Sequence, residues 1–573
     1  MSKSLNIVLC WHMHQPYYRD GLDGDYKLPW VYLHGIKDYA DMAAHLERYP
    51  DVHAVVNFVP ILLEQLDDYA QRLQRFLDNG DRIGDSLLDY LAGVTPVPED
   101  REGRIQLVKD CRRVNLAKMV QPYPAFRALT SVFDGIHDEG GKESHDFCLD
   151  YLNEQFFVDL LVWYHLAWMG YSLRQKNEVR DLMDKASHFT RDDRRRIIGI
   201  IQETLGGLIP RYRALMEKGQ IEISMTPWGH PIIPLLNNLG NMRDTQPGEP
   251  MPNNPAYPGG VQRSRWHLQK GMEVFEQYFG RKPQGVWLSE GAISSDAVAL
   301  LEELDIEWTA SGEAVWRHSC HISQCDPAEM DCRKALFLPY QLQDYSKPRI
   351  FFRDDGLSDL IGFEYRTWHA DDAVANLMHN LENVESFLGE DADRYVVSII
   401  MDGENAWEYY PENGHFFLDS FYKSLSRHPT LKTRQFAGLD HQIREEQLNA
   451  LVSGSWVYGS FSTWIGSPDK NHAWDMLIEA KMAFDDVIAS GRLDESKIAL
   501  AERQLGVCES SDWFWWFGDY NAADSVNDFD RLYRLQLKNL YELLELVPPP
   551  SLDHPVSLGS ATASDNGAMR RNT

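Results

Sequence analysis

The chain has 573 residues, a formal net charge of −30 and an aromatic complement that includes 17 Trp and 26 Tyr. A nucleic-acid binder needs Lys and Arg to displace counterions from phosphates, so this balance argues against that class, and it disfavours anionic membranes and anionic polysaccharides. A neutral substrate suits it, and flat rings beyond those that pack a core suit a sugar groove.

The first predicted strand covers residues 5–11 and runs out of the N-terminal MSKSLNIVLC. That start lacks the basic region, apolar stretch and cleavage site of a leader. No apolar run is long enough to span a bilayer. Both features predict a cytoplasmic protein. The strand ends in Trp11-His12-Met13-His14-Gln15-Pro16-Tyr17. Strand residues two apart share a face, so His12 and His14 point the same way. Sugar-hydroxyl binding and metal ligation are both open to such a pair, and so is a plain core role.

A second strand is predicted at 54–59. Residues from about 64 to 215 then break the strand rhythm and carry helical periodicity, as at 156–168 and 194–208, which predicts a helical insertion. A third strand at 221–225 ends in Thr226-Pro227-Trp228-Gly229, a turn signal that lifts His230 above the sheet. Glu222 lies at the start of that strand and reads as structural.

A fourth strand at 285–288 delivers Glu290 at its end, followed by Gly291, which permits an unusual dihedral. Ser294 and Ser295 are placed to cap the next helix, around 300–304. Cys320, Cys325 and Cys332 cluster, but their spacing fits no zinc pattern and no fourth ligand is evident. They read as free thiols in a loop. Seven scattered Cys do not form a secreted disulfide framework.

Strands at 349–352 and 395–401 follow. The second ends in Asp402-Gly403-Glu404-Asn405-Ala406-Trp407, again a strand that delivers a carboxylate, and a helix is predicted at 415–425. Beyond about 440 the chain reads as mainly helical, with aromatic-rich loops at 456–464 and 513–517. The polar stretch from 548 to 573 reads as a disordered tail.

Alternating strands and helices predict an α/β architecture with a parallel sheet, and their number favours a barrel. In such a barrel the C-terminal strand ends form the active-site face. Two carboxylates on two strand ends are the minimum for glycoside hydrolysis, where one attacks the anomeric carbon and the other protonates the leaving oxygen. Trp287 and Trp407 lie beside them.

HMHQPY, EISMTPWGHPIIPLL, GVWLSEGAIS and MDGENAWEYYPENG resemble the successive motifs of glycoside hydrolase family 57, in the family's order. SDWFWWFGD near the C-terminus resembles a further segment of its amylase-like members. The resemblance implies an incomplete (β/α)7 TIM-like barrel at 1–440, interrupted by the insertion, and a helical region at 441–547 that closes the cleft. It implies a retaining double displacement on α-glucans, with Glu290 as nucleophile and Asp402 as acid/base.

His12, His14 and His230 fall on the family's binding motifs. Trp287, Trp407, Trp464, Trp513, Asp354 and Asp519 complete the substrate-binding candidates. No cofactor is expected, because two carboxylates can complete both steps. Asp354-Asp355 offers oxygen ligands of the kind calcium takes, but no metal is expected there either. The context of GVWLSEGAIS and GLSDLIGFEY is similar to the α-amylase and amylopullulanase branch. A glucanotransferase or branching enzyme shares the intermediate. Outside this class stand a metal-dependent deacetylase built on the His12/His14 pair and a non-catalytic glucan-binding protein.

Overall fold

The computed structural model describes residues 4–134, 146–322, 330–404, 406–439 and 443–560. Ten strands join in one mixed sheet: β1 Leu5–Met13, β2 Ala54–Phe58, β3 Ile221–Met225, β4 Gly285–Val286, β5 Trp308–Ser311, β6 Tyr340–Leu342, β7 Arg349–Phe352, β8 Val396–Asp402, β9 Leu431–Arg434 and β10 Glu446–Leu448. Seven of them run parallel in the order β8-β1-β2-β3-β4-β5-β7. All nine residues of β1 are buried, as are all five of β2 and of β3. Burial on both faces explains why these strands read as apolar runs without alternation.

The two ends of this row meet at a single bridge, Arg353 with Ser398, where the Asp354 amide donates to the Ser398 carbonyl at 2.9 Å. The earlier part of β7 pairs antiparallel with β6 instead. β6 thus fills the lower half of the seam, and the result is an incomplete seven-stranded (β/α) barrel. β1 is shared in a similar way: β9 pairs with Leu5 to Val8, and β2 with Cys10 to Met13.

Between β2 and β3 the chain is helical, as expected, with helices at Pro60–Asn79, Glu154–Trp168 and Arg191–Glu217 among others. Thr190 and Asp193 close a capping box at the start of the last of these. Ser294 caps Ser295–Glu303 by accepting from the Ala297 amide. Helices Pro468–Ser490, Glu495–Cys508 and Ala523–Leu543 dominate the C-terminal part. Among the described residues no helix is long and apolar enough to cross a membrane.

Several expectations are corrected. β5 escapes sequence reading because Thr309 and Ser311 look polar, yet both hydroxyls are used inside the sheet, donating to the carbonyls of Val286 and Gly291. The stretch at 513–517 is not all loop: Asp512–Trp516 is a short helix. The segment after 548 is ordered through Ser560. Leu552 is buried, the Val556 amide donates to Asp530, and Ser557 Oγ donates to Asp469. The remainder of that predicted tail lies outside the described residues. Cys320 is a buried free thiol on helix Glu313–Ile322, not in a loop, and Cys325 lies outside the described residues.

Candidate active site

Because β1, β3, β4 and β8 are parallel members of one barrel, their C-terminal ends open on the same side. His12 is in register with Asp402 on the adjacent strand, and the Gly403 amide donates to the His12 carbonyl at 2.7 Å. Asp402 is half-buried, and so is Glu290.

Glu290 sits in a one-turn helix, Ser289–Gly291, that ends β4 abruptly. Its own backbone is left-handed, with φ 59°, as is that of Gly291. A left-handed Glu costs on the order of 1 kcal/mol or more and persists only where its surroundings fix it. Here the Trp456 amide donates to the Glu290 carbonyl at 3.1 Å, and Trp456 Nε1 donates to Glu290 Oε2 at 2.9 Å. The Arg353 guanidinium lies 5.5 Å from the centre of the Trp456 ring, a cation–π distance. Arg353 is buried. It donates to the Ile400 carbonyl and to the carboxylates of Asp355 and Asp359, at 2.8, 2.6 and 2.7 Å. Trp456 and Arg353 thereby connect Glu290 to β8, two residues before Asp402.

The histidines converge as expected. The His14 and His230 rings stack with centroids 3.9 Å apart, and His12 lies 5.5 Å from His230. His12 Nδ1 donates to Asn57 Oδ1 at 2.6 Å, which leaves Nε2 as an acceptor. Asn57 also accepts from Thr226 and donates to Ser224, so a buried relay fixes that ring. Burial, with His14 nearby, pushes His12 down to about 3, and burial likewise holds His230 well below the usual range. Both are neutral at ordinary pH. His230 repeats the backbone feature of Glu290, with φ 60°.

Two further groups, Asp512 and Glu404, were not singled out from sequence. Asp512 Oδ1 accepts from His14 Nε2 at 2.8 Å, and Ser511 Oγ pairs with His230 Nδ1 at 2.9 Å. His14, His230 and Asp512 place donor atoms within 4.8 Å of one another, close enough to consider a metal ion. Face-to-face stacking at 22°, however, sets the two imidazole lone pairs side by side instead of aiming them at one point. Glu404 is buried, and one of its oxygens accepts from the His14 amide at 3.2 Å. Burial and the neighbouring Asp402 and Asp38 raise its pKa well above the carboxylate range. His14 Nδ1, His230 Nε2 and the second Glu404 oxygen are buried without a hydrogen-bond partner. Buried polar groups are normally satisfied, so these three atoms are unmet hydrogen-bonding capacity within the cluster.

The remaining candidates lie elsewhere. Trp287, Trp407, Trp464 and Trp513 are at most 1% exposed. Trp407 donates to the Gly403 carbonyl and Trp513 to that of Val507. A ring with no free face offers a pyranose nothing to stack on, so these four are placed in the core. Asp354 caps the turn that follows β7 through the Leu357 amide. Burial, then Glu313 and Asp355, raise it to about 7. It lines a cavity of about 960 Å³ with Glu313, Trp316 and Asn380, whose lining includes neither Glu290 nor Asp402. Asp519 is exposed. The signal for Trp456 was present, since the aromatic loop was recognised but its far end, Trp464, was chosen.

The family model for glycosyl hydrolase family 57 matches residues 8–451. No curated protein matches by sequence. Among solved structures, a branching enzyme from Thermococcus kodakaraensis is 15% identical with a TM-score of 0.56, covering 94% of this chain and 90% of that one. A branching enzyme from Pyrococcus horikoshii is 15% identical at 0.55, covering 99% of each chain. An α-amylase from Thermotoga maritima is 14% identical at 0.56, covering 95% and 93%. At such identities the likeness shows a shared fold. The family match spans most of the chain and every strand-end motif from His12 to Trp407, and the chain belongs to glycosyl hydrolase family 57 and acts on glycosidic bonds.

Proposed function

We propose that the protein is a retaining α-glucan-active enzyme that cleaves α-1,4-glucosidic bonds, with Glu290 as nucleophile and Asp402 as general acid/base. The observation that carries this reading is the contrast between the two strand ends. Glu290 is held in a left-handed turn and receives an indole N–H, a donor that favours its anion. Asp402 stands beside a buried, high-pKa carboxyl, Glu404. Because Glu404 keeps its proton beside Asp402, the pair carries a proton that can reach a leaving oxygen through Asp402.

In the first step, Asp402 donates its proton to the leaving glycosidic oxygen while Glu290 attacks the anomeric carbon. In the second, Asp402 takes a proton from the incoming hydroxyl, which displaces Glu290 and returns the original configuration. The mechanism needs the carboxyl groups about 5–5.5 Å apart. His14, whose side chain is 11% exposed, suits a hydroxyl of the sugar that carries the reacting carbon, and the buried rings of His12 and His230 hold it in place.

The acceptor in the second step separates hydrolysis from transfer, and the named neighbours include both an amylase and branching enzymes. Products from maltoheptaose over time test the reading. Only shorter maltooligosaccharides are expected. Longer chains would assign a 4-α-glucanotransferase, and new α-1,6 linkages a branching enzyme. No cleavage at all would overturn the glucan reading. Exhaustive EDTA treatment is expected to leave turnover intact. Loss restored by zinc would move the chemistry to His14, His230 and Asp512.

A further inference from the structure

Behind the histidines lies a second, fully enclosed polar cluster that touches no reacting atom. Glu509 is 1% exposed and sits three residues before Asp512. Arg263, from helix Gly260–Phe279, grips it through Nε at 2.8 Å and Nη2 at 2.8 Å, and the Tyr257 hydroxyl donates to it at 2.5 Å. A third partner is His267, whose Nε2 donates to Glu509 Oε2 at 2.8 Å. The other ring nitrogen, Nδ1, accepts from the Gly229 amide at 3.3 Å, and the His267 carbonyl accepts from the Trp228 amide at 3.0 Å.

The imidazole therefore spans from the carboxylate of one segment to the backbone of another. The two segments are also laced directly, because the Ser511 amide donates to the His230 carbonyl at 3.0 Å. They pack closely: a Cβ on Gly229 would lie 2.8 Å from the Gly506 carbonyl oxygen.

We propose that Glu509 is a positioning residue for the stacked His14–His230 pair at the site. Through His267 it sets the 226–230 loop that carries His230, and through the following turn it sets Ser511 and Asp512 against His230 and His14. The arrangement resembles the carboxylate–histidine pairs that orient metal ligands, but the oriented group here is a strained loop. His230 holds a left-handed backbone only while both of its sides are pinned. The helical region thus supplies a required wall of the site. This inference rests on the reading that His14, stacked on His230, binds substrate.

The test uses the full chain carrying Glu509→Gln, which keeps the shape and removes the charge. Because a buried Arg263 without its carboxylate can compromise folding, His267→Gln is the second variant: its amide nitrogen can still donate to Glu509, and it lacks the ring Nδ1 that accepts from Gly229. Arg534→Met is the control, since it breaks a comparable buried pair with Asp530 in the same region, away from the loop. All are assayed well below their melting temperatures.

Both site variants are expected to lose at least 10-fold in kcat/KM on maltoheptaose, while the control keeps its value despite a lowered melting temperature. Crystal structures of the two variants are expected to show His230 separated from Ser511. Unchanged kcat/KM with only a lowered melting temperature would overturn the proposal. So would an unshifted 226–230 loop, whether or not the protein cleaves glucans. If the parent protein proves inactive on every glucan, the functional reading fails, and the crystal structures alone decide this one.

Discussion

At the scale of single residues, chemistry at the strand ends was legible because apolar strands that finish in His, Glu or Asp have few structural reasons to do so. What stayed hidden were partners whose sequence neighbourhood carries no signal. Trp456 reaches Glu290 across 166 positions, and Asp512 reaches His14 across 498. Trp456→Phe is expected to keep the fold and lower kcat/KM by roughly 10- to 100-fold, because a hydrogen bond to a charged group is worth about 1.5–3 kcal/mol. Steady-state kinetics with thermal melts checks this, and an unchanged kcat/KM would remove Trp456 from the site. The buried tryptophans make the opposite prediction. Trp513→Ala is expected to cost about 3–5 kcal/mol of stability, as large core truncations do. A variant of near-parental stability with weakened glucan affinity would return Trp513 to the substrate groove.

At the scale of elements, the long buried strands were found almost to the residue: β3 and β7 coincide with their predicted spans. Short strands failed for a physical reason. β6 and β10 have three residues each, too few for any periodicity to register. The 548–560 segment failed differently. Its polar composition hides that Asp530 and Asp469 supply acceptors for its backbone and side-chain donors.

The element-level link between helix Gly260–Phe279 and the 508–512 turn has a pH signature. Burial alone would raise Glu509, but Arg263 and His267 hold it at about 2, below the ordinary value of 4.5. A depressed carboxyl contributes stability that is present above its unfolded pKa and lost as pH falls through its folded one. The stability gap between the parent and Glu509→Gln is therefore expected to be full, at about 3 kcal/mol, above pH 4.5 and to shrink toward pH 2. Chemical denaturation across that range measures it. A gap that stayed constant would show that the charge of Glu509 is not what stabilises the contact.

At the scale of the whole molecule, a parallel barrel gathers motifs separated by hundreds of residues onto one face, and a helical region lays Asp512 over them. The barrel was legible because its strands are buried on both faces. That the helical region would reach the barrel's histidines was expected only through resemblance, since no local pattern announces that a helix will supply a partner such as Asp512 to His14. Azide rescue separates the roles proposed for Glu290 and Asp402. With Glu290→Ala, azide is expected to attack the anomeric carbon of an activated glucosyl fluoride directly and give a glycosyl azide of inverted configuration. With Asp402→Asn, the Glu290 intermediate still forms, azide needs no base to resolve it, and the product retains its configuration. The two configurations exchanged between the variants would contradict the assignment, and near-normal starch cleavage by both would show that neither carboxylate carries the reaction.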